Sequence, residues 1–526
     1  MSAPPRDRPA PEQLAPERAQ APPGGYGARR FVLADVIAGL SVALVLIPQS
    51  LAYAALAGMP PERGLYAAAL PLLVAAPLAS SPYLQTGPVA VTALLTFGAL
   101  SSMATPGSDE YVALGLALAL VVGAVRLAIG LARAGVIAYL MSQPMLIGFI
   151  PAAAILIFAS QLPTAVGAQP PDGDLLVQAA WSILHPAAWE LASALVTVGV
   201  LVAVLGGRRL HPLFPGVLVA AVGAIAFSEL SGYSGPRVGE LAAGLPPVSL
   251  DLPWAELPRL LVSGTIIAVV GYAEVASIAR AFASQDRERW SSDREFVSQG
   301  AANVAAAFSG GFPVGGSFSR SSLNRIAGGH SRWSGAVTGL VVLVALLFAG
   351  ALAPLPEAVL GAAVLAAVVP LIRPRRILRL WGPSRPAFLI AATTFVATLV
   401  LAPHVEQGVL VGVGLSIAVH LWRELRIDSD VWFADDVLHV RPRGVLWFGA
   451  AQALQDRVLD ELASQPGARR LVLHLDALGR LDITGAFALR AVLEEARHGD
   501  IAAQVAGVQP RDRRLVDGVV ESVRSV

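Results

Sequence analysis

The 526-residue chain contains no cysteine and no lysine. The first absence excludes a disulfide framework and thiol chemistry, and leaves the redox compartment open. The second makes every permanent side-chain cation an arginine, a group that does not deprotonate in proteins. Charge of either sign is scarce: 14% of residues are charged and 55% hydrophobic, with a mean hydropathy of +0.63. That composition belongs to a polytopic membrane protein rather than a soluble multidomain one. The net charge of +1 supplies no basic excess for a nucleic-acid partner. His185, His211, His330, His404 and His420 show no metal-ligand spacing, and Asp172 and Asp174 read as a solvated loop rather than paired catalytic acids.

What is present is a long series of apolar segments. Segments fit to span or partly span a bilayer lie near 31–55, 63–79, 88–104, 111–131, 136–162, 187–205, 213–230, 257–283, 295–310, 316–328, 333–353, 355–372, 387–402 and 407–425. That is about fourteen. Arginines cluster before the first (Arg29, Arg30), after the sixth (Arg208, Arg209), after the eighth (Arg280, Arg287, Arg289, Arg294) and after the twelfth (Arg373, Arg375, Arg376, Arg379). The alternate connections are acidic or neutral, so both termini are expected on the cytoplasmic side of the inner (plasma) membrane. Residues 1–28 are rich in Pro, Ala, Arg and Glu and read as a disordered cytoplasmic tail. Residues 29–426 read as a transmembrane domain. The remainder, 430–526, alternates short strands with helices over 451–464 and 484–497, as a small cytoplasmic α/β domain does.

One stretch does not fit a lipid-facing helix. Residues 308–332 carry Gly310, Gly311, Pro313, Gly315, Gly316, several serines and Arg320 among apolar neighbours. Backbone broken by Gly and Pro at membrane depth must be buried in protein or line a wet cavity. A helix beginning near Gly315 would aim free amides and the positive end of its dipole at an anion. A phosphate loop is excluded, since Gly-Lys-Ser/Thr is missing. Gln85–Thr92 makes a similar break in the first half. Pro88-Val89 and Pro313-Val314 are 225 positions apart, and the same offset carries Gln49 onto Glu274. Joint matching points to two repeats, about 31–230 and 257–426, with inverted topology and a substrate site between them.

Several of these motifs resemble the SulP (sulfate permease) anion transporters, relatives of prestin and pendrin. They are Ile47-Pro-Gln-Ser-Leu-Ala-Tyr-Ala54, Asp293–Gly300, the Gly-Phe-Pro-Val-Gly-Gly-Ser-Phe-Ser-Arg-Ser segment and Gly328–Gly335. Asp482-Ile-Thr-Gly485 is similar to the loop of STAS domains, with nonpolar Ile483 where relatives often carry Ser. The resemblance covers residues 30–526. It implies an α-helical fold of about fourteen spans in a 7+7 inverted repeat, with a core domain (spans 1–4 and 8–11) moving against a gate domain (5–7 and 12–14). It implies a secondary transporter rather than an enzyme, usually homodimeric, with an anion held between the N-termini of spans three and ten. No cofactor is implied, beyond a coupling ion.

The residues themselves carry part of that reading. Arg320, about one turn into span ten, offers a fixed charge able to grip a carboxylate, sulfate or bicarbonate; as a bland alternative it pins neighbouring helices. Intramembrane charge favours function. Glu274 reads as a coupling site for H+ or Na+, or as an ion-pair partner of Arg320 that holds the core together. Gln49 and Tyr53, one turn apart, share a face. The resemblance puts them beside the anion together with Val89, Ala90, Val91, Gly315, Gly316, Ser317, Phe318 and Ser319; helix packing explains the glycines as well. By the resemblance, Thr484 stands where related bacterial STAS domains carry a phosphorylatable Ser or Thr, whereas Asp482 and Thr484 also suit a helix cap. The expected function is proton-coupled symport of a carboxylate (a fumarate-like dicarboxylate) or an oxyanion such as sulfate. Sodium-coupled bicarbonate uptake, anion exchange, an anion channel, a nucleobase permease and a STAS-based signalling scaffold with a cytoplasmic partner remain as alternatives.

Overall fold

The computed structural model describes residues 29–519, apart from 140, 212–213, 242 and 426. The reading of 1–28 as a disordered tail lies outside the described residues. The apolar part folds into helices α1 (Leu33–Leu56), α2 (Pro61–Leu78), α3 (Ala90–Leu100), α4 (Asp109–Leu131), α5 (Gln143–Val166), α6 (Leu175–Leu184), α7 (Leu191–Leu210) and α8 (Gly216–Ser231). It continues with α9 (Leu257–Asp286), α10 (Ser292–Phe308), α11 (Phe318–Ile326), α12 (Trp333–Leu346), α13 (Glu357–Val368), α14 (Arg375–Leu378), α15 (Arg385–Val400) and α16 (Val405–Glu424). Six helical segments among the described residues are long and apolar enough to cross a bilayer alone, and six shorter apolar helices accompany them. Serines open many of these helices: Ser108, Ser142, Ser291, Ser317 and Ser384 each accept a hydrogen bond from the amide three residues on, which satisfies one of the free donors of a first turn.

Each apolar segment read from the sequence contains a helix, with two additions and several contractions. Helices α6 and α14 fall in stretches read as connections, because ten and four residues are too short to register as spans. Helices α3 and α11 are shorter than expected. Each is preceded by two extended residues, β1 (Thr86–Gly87) and β2 (Gly315–Gly316), which pair antiparallel with Thr86 opposite Gly316 and Gly87 opposite Gly315.

The helices of this unit form two groups. α4 lies along α10, α2 along α10 and α12, and α1 along α2, α11 and α12, with α9 against α3 and α4. The other group is built on α5, which packs on α6, α13 and α15, while α7 joins α8 to α13. The α4–α10 contact is close because both faces carry glycine. A methyl group on Gly123 would stand 2.8 Å from the Val304 amide, and one on Gly300 would stand 2.7 Å from that of Leu127. Small residues let backbones approach where lipid gives no hydrophobic drive to associate.

The chain from Gly414 onward forms a second compact unit. It contains β3 (Asp428–Ala434), β4 (Val437–Leu446), α17 (Phe448–Ser464), β5 (Arg470–His474), β6 (Leu478–Leu481), α18 (Ile483–His498), β7 (Ala502–Ala506) and α19 (Arg513–Val519). The strand order is β3-β4-β5-β7 with β6 paired to β4. β3 and β4 join through Asp435 and Asp436, both at positive φ, as a two-residue hairpin requires. Leu438, Val440, Leu471 and Leu473 bury one sheet face under Leu454 and Val458 of α17 and Leu489 and Val492 of α18.

Candidate anion site

The two breaks in the apolar pattern meet. β1 and β2 cross, Ser317 N donates to Gln85 O at 3.1 Å, and α3 and α11 each start immediately beyond. The strand pair is braced from behind by α10. Gln299 Nε2 donates to Thr86 Oγ1 (2.7 Å), while Asn303 accepts from Val314 N (2.9 Å) and donates to Val314 O (3.1 Å), standing in for a third strand. Gly87 has φ +151°, which side-chain-bearing residues rarely adopt, and a methyl there would lie 3.5 Å from Arg320 Nη2. The guanidinium therefore rests against bare backbone.

This geometry corrects the expected helix start. α11 begins at Phe318, not near Gly315, because Gly315 and Gly316 are consumed by β2. The repeat is correspondingly imperfect. Val89 is the residue before α3, but its counterpart by position is Ser317 rather than Val314, so Pro313-Val314 lies three residues further from its helix than Pro88-Val89 does.

The first amides of each half-helix are free. Ala90, Val91 and Thr92 of α3, and Phe318 and Ser319 of α11, donate to no oxygen among the described residues, whereas Arg320 N reaches Ser317 Oγ at 3.4 Å. Two positive dipole ends thus flank the β1–β2 crossing. Arg320 is 1% exposed, and none of its three guanidinium nitrogens has a hydrogen-bond partner among the described residues. Gln49 Oε1 on α1 is likewise buried and unpartnered. Tyr53 is buried and lies within electrostatic reach of both Arg320 and Glu274. Glu274 and Arg320 also feel one another, but no salt bridge joins them among the described residues. Ser317 is buried; Phe318 and Ser319 are exposed, and the Phe318 ring stacks on Phe282 with centroids 6.4 Å apart. A buried cation without a partner is costly, and five free amides beside it make the gap chemically specific: it fits negative charge.

Buried carboxylates elsewhere show the contrast. Asp35 accepts from the amides of His330 (2.7 Å) and Ser331 (2.8 Å) and from Ser331 Oγ. Glu295 accepts from the amides of Ser80 and Ser81 and from the Trp290 indole. Both are consumed in holding loops.

One residue of this region escaped the sequence reading. Arg126 of α4 is fully buried and donates to Val314 O (2.8 Å), Ala268 O (3.1 Å) and Ile267 O (3.4 Å). Its signal was available, as an arginine inside the apolar run 111–131. A separate cavity of about 370 Å³ lies along α3 away from its N-terminus, between α1–α3 and α5, α6 and α13, with Ser160, Gln161, Thr164 and Glu357 as its polar lining.

In the second unit, Asp482 Oδ1 accepts from Gly485 N at 2.7 Å and caps α18, while Thr484 is exposed in the first turn. On the sheet face opposite the helices, Trp432 stacks on His439 and His474, whose rings share a 3.0 Å Nδ1···Nε2 contact. Partial burial and the neighbouring His439 push His474 below the usual imidazole range, and the Arg441 guanidinium holds Asp476 low.

Comparison with known proteins gives the family and the fold. Residues 32–394 match the sulfate permease family and 429–519 match the STAS domain. A probable sulfate transporter of Mycobacterium tuberculosis is 36% identical over 400 residues, 74% of this chain and 70% of that protein. Sulfate transporter 4.1, chloroplastic, of Arabidopsis thaliana is 28% identical over 510 residues, 89% of this chain and 74% of that protein. The murine Solute Carrier 26 family member A9 anion transporter, solved in its inward-facing state, superposes with a TM-score of 0.85 at 20% identity, covering 94% of this chain and 88% of that one. The transmembrane domain of a cyanobacterial bicarbonate transporter gives 0.62 at 24% identity, over 72% and 97%.

Proposed function

Because the chain belongs to the sulfate permease family, and is a multi-pass anion transporter rather than an enzyme, we propose that it carries out proton-coupled symport of an oxyanion or carboxylate. The observation that carries this reading is the buried, unpartnered guanidinium of Arg320 between two half-helix N-termini. Sulfate, named in the curated relatives, and a dicarboxylate of similar charge both satisfy it: each offers oxygens to the free amides and a charge to the arginine.

Glu274 supplies the coupling. While ionised it offsets the field of Arg320 and opposes an entering anion; once protonated it leaves the arginine's charge uncompensated. Proton and anion therefore load together. The α1–α4 and α9–α12 group acts as the moving core and the α5-centred group as the gate, a fourteen-span inverted repeat working by alternating access. The protein operates as a homodimer in the plasma membrane with both termini cytoplasmic. Residues 29–426 form the transport domain and 430–526 a STAS domain, which serves regulation through a cytoplasmic partner or phosphorylation of Thr484.

The test is counterflow in proteoliposomes with a panel of anions, followed by concentrative uptake under an imposed proton or sodium gradient. Sulfate or dicarboxylate counterflow driven uphill by an inward proton gradient is the expected result. Uphill uptake that needs sodium and ignores the proton gradient would replace H+ by Na+ at Glu274. Uracil uptake surviving Arg320→Ala would remove the anion reading.

A further inference from the structure

A second buried cation stands behind the site. Arg126 makes three hydrogen bonds, all to carbonyls, and no carboxylate forms a salt bridge with it among the described residues. Carbonyl dipoles satisfy its donors without cancelling its charge, and an arginine keeps that charge under all ordinary conditions. Its position follows from its contacts. Val314 O leads directly into β2, Ile267 and Ala268 lie two turns before Glu274 on α9, and a methyl on Gly271 would meet Arg126 Nη2 at 2.8 Å and the Thr92 methyl at 3.0 Å. The guanidinium and Thr92, in the first turn of α3, thus border the same small gap. Arg126 is close to the anion's half-helix without facing the anion.

Building on the anion-transport reading above, we propose that Arg126 is a specificity-determining residue that acts at a distance: its charge sets the preference for divalent over monovalent anions. Interaction energy with a fixed charge scales with the ligand's own charge. A doubly charged anion therefore gains twice as much from Arg126 as a singly charged one, and low-dielectric surroundings keep solvent from screening the difference. Arg320 alone supplies one contact charge; a divalent anion in a dry pocket calls for a second. A residue that merely braced β2 would affect every anion alike.

The experiment is equilibrium binding of labelled sulfate to the purified full-length protein, with unlabelled sulfate and nitrate as competitors. Arg126→Gln retains hydrogen bonding and removes the charge; Arg126→Lys retains the charge. If nitrate weakens about fivefold in Arg126→Gln, sulfate weakens about 25-fold, because the effect is squared for double charge. Arg126→Lys keeps the sulfate-to-nitrate ratio near that of the wild type. Equal weakening of both anions in Arg126→Gln, or a Lys variant that shifts the ratio as much as Gln, would overturn the proposal and leave Arg126 as a brace. Should neither variant insert, Arg320→Gln decides. With the contact charge gone, the two helix ends still favour sulfate, so the proposal requires a sulfate preference beyond what their half-charges supply, and equal affinities overturn it. Failure of the wild type to bind any anion would instead sink the anion-site reading itself.

Discussion

Arg126 and Arg320 are the same side chain in comparably dry surroundings, 0% and 1% exposed, and they end in opposite circumstances. Arg126 is enclosed by the carbonyls of Val314, Ala268 and Ile267. Arg320 meets the bare Gly87 backbone and has no hydrogen-bond partner among the described residues. Burying charge is costly unless its hydrogen bonds are met. The first arginine is therefore tied into the frame by hydrogen bonds, and the second is surrounded by glycine and two helix ends, with Glu274 within electrostatic reach but not bonded to it. The difference is that one buried arginine has its hydrogen bonds met by carbonyls and the other, among the described residues, has none.

The comparison can be broken most visibly at Arg320. Replacing it with Gln should weaken anion binding by about 100-fold, the loss of roughly two charge-assisted hydrogen bonds, while thermal stability of the unloaded protein stays level or rises because an unpaired buried charge is gone. Arg126→Met should do the reverse in stability. Leaving three carbonyls without their donor costs about 1–3 kcal/mol or more, visible as a lowered melting midpoint without ligand. Glu274→Gln sharpens the contrast by removing the titrating neighbour: counterflow should persist while uphill uptake under a proton gradient collapses to equilibration. In the second unit, Asp482→Ala should cost about 1 kcal/mol of local stability through the lost α18 cap, read by hydrogen exchange, with anion affinity unchanged.

The smallest effect concerns pH. His474 has its folded pKa depressed by burial and by His439, so its contribution to stability is complete above the unfolded imidazole value and is lost as pH falls through the lower folded one. Mild acid should loosen the C-terminal unit more in the wild type than in His474→Gln, followed by hydrogen exchange at β4 and β5.

Much of this was legible before coordinates. The apolar runs located the helices, since bilayer thickness imposes a length that composition cannot disguise. The Gly- and Pro-rich interruptions pointed to the segments that pair as β1 and β2, since irregular backbone in a membrane has few permitted uses. What stayed hidden depended on pairing between distant segments. That Gly315 and Gly316 join Thr86 and Gly87 in a strand pair, and so delay α11 to Phe318, cannot be read from a helix-initiation pattern in one segment. Glu274 reads from the sequence as a coupling site with an ion pair as the alternative, and choosing between them depends on where two side chains point, which sequence repeats do not carry. Arg126 stands out in the sequence as a charge in an apolar run, but only the fold shows Val314 and α9 converging on it.

The central claim is that negative charge occupies the gap bounded by the Arg320 guanidinium and the free amides of Ala90–Thr92, Phe318 and Ser319. Locating bound selenate by its anomalous scattering in crystals of the intact protein tests it directly. A selenium peak within hydrogen-bond distance of Arg320, and flanked by both half-helix starts, is the result expected. A peak elsewhere, with Arg320 turned onto a carboxylate, would contradict it.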